Sequence, residues 1–93
     1  MEVSGHILFT VSYPFILHIN PLRKNFIIGY LYNDVKNILP HGELFYTGEV
    51  LEIELVDNKV FAKTKSRYYL LGGISQKEAF IVAQKYGIAL TLH

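Results

Sequence analysis

The chain predicts an α+β fold: a strongly curled, barrel-like antiparallel β-sheet packed with one C-terminal α-helix. Three observations carry this. Residues 50–56 and 59–65 both alternate with period two and are joined by Asp57-Asn58, which is the pattern of a β-hairpin. Ser75 stands three residues before Glu78, ahead of an apolar stripe that ends at Gly87, which is the pattern of a capped helix. The remaining apolar stretches are short, rich in β-branched and aromatic residues, and separated by Gly, Pro and Asn.

From the N-terminus, residues 5–11 and 15–19 read as strands, broken at Ser12-Tyr13-Pro14. Pro14 lacks a backbone N–H and belongs at a strand start or sheet edge. Asn20-Pro21 ends the second strand, and Arg23-Lys24-Asn25 reads as a polar loop. Residues 26–32 form a third strand, in which Gly29 suggests a bulge or a close backbone approach. A connection from Asn33-Asp34 runs to a turn at Pro40-His41-Gly42. Residues 43–56 then read as one long strand bent at Gly48.

With Asp57 and Asn58 central in a tight turn, the hairpin pairs Leu55 with Val60, Ile53 with Ala62 and Leu51 with Thr64 on one apolar face. Glu52 then lies opposite Lys63, and Glu54 opposite Phe61, on the other. A slip of one residue would bury glutamates, so burial holds the register. Residues 68–71 form a further strand, stopped by Gly72-Gly73. On the helix, Ala79, Val82, Ala83 and Tyr86 share one side, with Phe80 flanking. Gly87 is placed for a left-handed cap. Ile88, Leu90 and Leu92 alternate with Ala89, Thr91 and His93, giving a final strand that returns to the sheet.

Composition sets bounds. A chain of 93 residues holds one domain with one modest core, and six to eight strands leave little room for a buried pocket. With 51% hydrophobic residues it folds. A net charge of +1 makes no demand for nucleic acid or an acidic surface. The chain has no cysteine, which removes disulfides and thiolate zinc sites. The apolar run at 7–19 contains Thr10, Ser12, Pro14 and His18, is too short to span a bilayer and has no preceding lysine or arginine. The expectation is a soluble, cytoplasmic protein with no membrane association and no cofactor.

Chemistry is sparse. His6, His18, His41 and His93 have no metal-ligand spacing. Glu52 and Glu54 share a strand face, but Lys63 stands opposite one of them, so a solvated hairpin face explains them better than acid–base catalysis. Ser4, Ser12, Ser66 and Ser75 lie in no nucleophile elbow. Gly72-Gly73 before the helix lacks P-loop spacing and reads as a strand stop plus an N-cap. No enzymatic activity is expected.

The richest stretch is basic and aromatic: Lys59, Phe61, Lys63, Lys65, Arg67 and Tyr68. Lys59, Phe61, Lys63 and Lys65 project from one strand face. With a tight turn at Lys65-Ser66, Tyr68 comes beside Lys63, and Leu70 and Val50 join Phe61 on that face. Cations among aromatic rings suit single-stranded nucleic acid, where bases stack and phosphates pair with lysine. Glu52 and Glu54 on the adjacent strand oppose that field. Apolar groups ringed by charges equally describe a protein interface. The long strand at 43–56 also offers an edge for homodimerisation.

Four segments follow one order: Phe26-Ile27-Ile28-Gly29-Tyr30-Leu31-Tyr32, Leu39-Pro40-His41-Gly42, Thr47-Gly48-Glu49-Val50-Leu51-Glu52-Ile53, and the run from Ala62 through Tyr68-Tyr69-Leu70-Leu71-Gly72. This order resembles a small β-rich domain of uncharacterised bacterial and prophage accessory proteins, over about the middle half of the chain. His41 before Gly42 and Gly48 after Thr47 depart from its pattern. The resemblance implies no site residues. It implies a small accessory protein of a mobile element that binds and blocks a host or phage protein, anti-defence (anti-CRISPR) inhibitors included. A protein-binding inhibitor or regulator is therefore the leading expectation, with nucleic-acid binding through residues 59–69 as the alternative.

Overall fold

A computed structural model describes residues 3–8, 16–19, 24–32 and 42–93. The element order is β1 (Gly5–Leu8), β2 (Ile16–Ile19), β3 (Lys24–Tyr32), β4 (Glu43–Glu49), β5 (Glu52–Val56), β6 (Lys59–Lys63), β7 (Tyr68–Gly72), α1 (Gln76–Tyr86) and β8 (Ala89–Leu92). The α+β class holds. The sheet runs β2-β3-β1-β7-β6-β5-β8, and β4 also pairs with β3.

Three strands share β3. β4 pairs with it from Phe26 to Leu31, overlapping the stretches taken by β2 and by β1, so β1 and β2 lie one after the other along its opposite edge. Among the described residues, strands β2, β4 and β8 each have a single partner, and no ladder joins β4 to β8. The sheet is therefore open and not strongly curled, which corrects the expected curled, barrel-like closure. It is also mixed: β1 runs parallel to β7 and β5 parallel to β8, while the other ladders are antiparallel. The β5–β8 direction follows from the helical crossover, since α1 carries the chain back before β8 begins.

The hairpin has the expected register: Leu55 opposite Val60, Ile53 opposite Ala62, Glu54 opposite Phe61 and Glu52 opposite Lys63. Asp57 takes the left-handed conformation at φ 54°, which a short polar side chain tolerates. The next turn also closes as expected around Lys65-Ser66: Thr64 donates its N–H to the Arg67 carbonyl at 2.9 Å, and its hydroxyl accepts from the Arg67 N–H at 3.1 Å. This pairs Lys63 with Tyr68 and Phe61 with Leu70.

The long strand at 43–56 is two strands. Val50 and Leu51 leave the ladder: Val50 donates to the Asn25 carbonyl on β3, and Leu51 donates to the Lys63 carbonyl on β6. That break resets the alternation. Val50 turns into the core, 5% exposed, and not onto the charged face; Leu51 is 50% exposed and not on the apolar face. The expected bend at Gly48 lies before that break, within β4. It adjoins a register shift opposite the stretch between Phe26 and Ile28, where the Ile27 N–H donates to the Thr47 hydroxyl at 3.0 Å. Gly29 stays in register opposite Phe45. Lys24 and Asn25 belong to β3 and not to a loop. Asn25 is buried because its amide donates to the Tyr86 carbonyl at the end of α1, one of the acceptors a helix leaves open.

The helix follows its sequence pattern. Ser75 and Glu78 form a reciprocal capping box, and Gly87 caps the end at φ 67°. Ala79, Val82 and Ala83 are buried against Ile7, Ile27, Leu31, Ile53, Leu55, Val60, Ala62, Tyr69 and Leu71 in one cluster. Burying Val82 contributes roughly 1.5–3 kcal/mol. Gln76 ties the helix start to the hairpin turn, donating to the carbonyls of Asp57 at 2.7 Å and Lys59 at 3.1 Å. The segments at 9–15, 20–23 and 33–41, with Pro14, Pro21, Pro40 and His41, lie outside the described residues. No helix among the described residues is long and apolar enough to cross a membrane.

Candidate functional site

The helix covers one face of the sheet, and ladder register assembles the other. From β3 to β8 a transverse row reads Tyr32, His6, Leu70, Phe61, Glu54, Thr91, each opposite the next. Beside it lie Tyr68, Lys63 and Glu52 in a second row. On β4, Leu44 lies opposite Tyr30 and Tyr46 opposite Ile28, extending the same face. Leu44 is 57% and Tyr46 56% exposed.

The basic and aromatic residues singled out in the sequence differ in access. Lys59 and Lys65 are exposed, Phe61, Lys63 and Arg67 are half-buried, and Tyr68 is buried. Alternation along β6 puts Lys59, Phe61 and Lys63 on one face. Lys65 lies in the turn after β6. Tyr68 packs face to face on Phe61, with ring centroids 5.0 Å apart and planes 3° from parallel. Its hydroxyl donates to Glu54 Oε2 at 2.8 Å. Burial, reinforced by that bond and by the charges of Glu54 and Glu52, pushes the Tyr68 hydroxyl up to about 12.

The two glutamates are tied to the last strand. Thr91 donates its hydroxyl to Glu52 Oε2. His93 Nε2 lies 3.6 Å from Glu54 Oε2, an ion pair whenever the imidazole is protonated. Glu52 and Glu54 thus hold β8, β5 and β7 together on this face. In each glutamate Oε2 faces these neighbouring side chains. Among the described residues no three His, Cys, Asp or Glu side chains converge as a metal site.

Leu44, Tyr46, His6 and the Thr91–Glu52 contact were missed by sequence reasoning. Residues 44–47 read Leu-Phe-Tyr-Thr, so either face of that strand qualifies as the buried one. Pairing with β3 decides it, turning Thr47 inward and Leu44 and Tyr46 outward. Comparison with known proteins finds no matching family model, no matching curated relative and no matching solved structure, so the reading of this face rests on its own geometry.

Proposed function

We propose that this chain is a non-enzymatic protein-binding module, an inhibitor or regulator of a larger assembly, and that it works through the helix-free face of the sheet. One observation carries the reading. The row Tyr32, His6, Leu70, Phe61 is mostly aromatic, with Leu70 and Phe61 apolar, and it is bordered at the hairpin end by Lys59, Lys63, Glu52 and Glu54. Aromatic anchors inside a charged rim are what a protein interface uses. The action expected of a mobile-element accessory protein, blocking a host or phage protein, fits such a surface.

The Phe61–Tyr68 stack favours protein over nucleic acid. A base needs an open ring face. Here Tyr68 covers one face of Phe61, and Tyr68 is itself buried with its hydroxyl committed to Glu54. Glu52 and Glu54 also offset the field of Lys59 and Lys63.

The test is capture of the partner from host lysate by tagged protein, with and without nuclease, comparing wild type with Phe61→Ala/Lys63→Glu. A stoichiometric protein that survives nuclease and is lost with the double variant supports the reading, provided the variant retains its thermal transition. Recovery of nucleic acid, with affinity that falls steeply as salt rises, overturns it.

A further inference from the structure

We propose that the outer edge of β4 takes an extended, basic-flanked peptide of a partner protein as an added strand. The proposal rests on the protein-binding reading above and names the chemistry of the partner.

Three observations lead there. Among the described residues β4 pairs only with β3, so its second edge offers backbone N–H and C=O groups to another chain. Leu44 and Tyr46 project from the same side of this strand, both more than half exposed, and the outward side chains of an added strand would pack beside them. Glu43 and Glu49 stand exposed at its two ends, and the strand carries no lysine or arginine. Neither glutamate has an ion-pair partner among the described residues.

Charge decides the occupant. An added strand is favoured when cations lie opposite those two glutamates. The described edge strands of a second copy of this chain do not supply them. Among the described residues the strands with an unpaired edge are β2, β4 and β8, and none carries a lysine or arginine. The basic strand β6 is enclosed by β5 and β7. Two β4 strands paired antiparallel about Tyr46 would set Glu43 against Glu49 twice, like charge on like. The occupant is therefore a heterologous strand with a lysine or arginine at each end of an apolar, β-branched stretch. Its cations are spaced as Leu31 and Phe26 are on β3, the residues that meet Glu43 and Glu49 from the other side.

The probe is the acetylated, amidated peptide Lys-Val-Tyr-Val-Thr-Lys, with Glu-Val-Tyr-Val-Thr-Glu as its control. Binding is followed by amide chemical shifts and hydrogen exchange of the full chain. The lysine peptide is expected to bind about tenfold tighter than the control and to protect amides within residues 43–49. In the doubly reversed variant Glu43→Lys/Glu49→Lys the preference inverts. Both positions are exposed, so the fold tolerates the change.

Equal binding of the two peptides overturns the proposal, as does an unchanged preference in the reversed variant. Shifts confined to β8 or to the hairpin overturn it too. Full protection of every β4 amide in the free protein means the edge is already covered and has the same consequence. A concentration-dependent dimer that the lysine peptide does not dissociate assigns the edge to a second copy. None of these outcomes touches Phe61 or Lys63, so the proposed partner-binding face is judged separately.

Discussion

Phe61 and Tyr68 stack although they are not ladder partners: Phe61 stands opposite Leu70 and Tyr68 opposite Lys63, so the contact is diagonal across β6 and β7. Diagonal neighbours on one face lie within reach of aromatic side chains. The stack holds the turn at Thr64–Arg67 from one side, while the Tyr68 hydroxyl reaches Glu54 on the next strand. A double-mutant cycle with Phe61→Leu and Tyr68→Leu should give a coupling of about 1 kcal/mol in urea unfolding. A coupling near zero would mean that the two rings contribute independently.

Tyr68→Phe keeps the ring and removes one hydrogen bond. Because that bond goes to a carboxylate at a partly buried position, the expected cost is about 1.5 kcal/mol. An unchanged unfolding midpoint would show that water replaces the hydroxyl at Glu54.

The same hydroxyl sets an alkaline limit. In the fold its pKa is pushed up to about 12, chiefly by burial and then by Glu54. In the unfolded chain it returns to about 10. The folded state therefore favours the protonated phenol. That contribution is complete below pH 10 and is lost as pH rises from about 10 to about 12. An absorbance titration should contain a late-ionising component, and Tyr68→Phe should reduce it by one tyrosine. The variant should also lose less stability than wild type over that window.

Thr47 serves β3 through its side chain. The Ile27 N–H donates to its hydroxyl at 3.0 Å, and the hydroxyl donates to the Gly48 carbonyl at 2.7 Å. Thr47→Val has nearly the same shape but leaves the Ile27 N–H buried without an acceptor. The expected cost is about 1–3 kcal/mol, with faster exchange of the Ile27 amide; Thr47→Ser should retain most of the stability. Equal stability of the two variants would sink this account.

Gly42 and Gly87 separate backbone strain from crowding. Both have positive φ, 74° and 67°, so alanine at either costs about 1 kcal/mol. A Cβ at Gly87 meets open space, whereas one at Gly42 lies 3.3 Å from the Tyr32 ring. Gly42→Ala should therefore lower the thermal midpoint more than Gly87→Ala; the reverse order would show that the ring moves aside freely.

Local pattern was enough where the information is local. The Asp57-Asn58 hairpin, the Lys65-Ser66 turn and the Ser75-to-Gly87 helix are each set by residues a few positions apart, and their registers and caps follow from turn chemistry, capping and period. On the candidate face, that made Lys59, Phe61 and Lys63 legible as neighbours. It did not reveal that Tyr68 is buried on Phe61, because burial depends on a diagonal partner and on Glu54 from a third strand. Leu44 and Tyr46 stayed hidden because every residue from Leu44 to Thr47 suits a buried position.

By itself, then, the sequence determined the α+β class, the hairpin, the helix and its caps, because sterics and hydrogen bonding within a few residues decide them. Tertiary structure alone decided the strand order, the two parallel ladders and the break at Val50–Leu51. There, one backbone N–H is claimed by Asn25 on β3 and the next by Lys63 on β6. A chain read along its length has no term for such competition between distant strands. It also shows no open edge, which is why the surface of β4 emerges only once β3 has chosen which of its faces to bury.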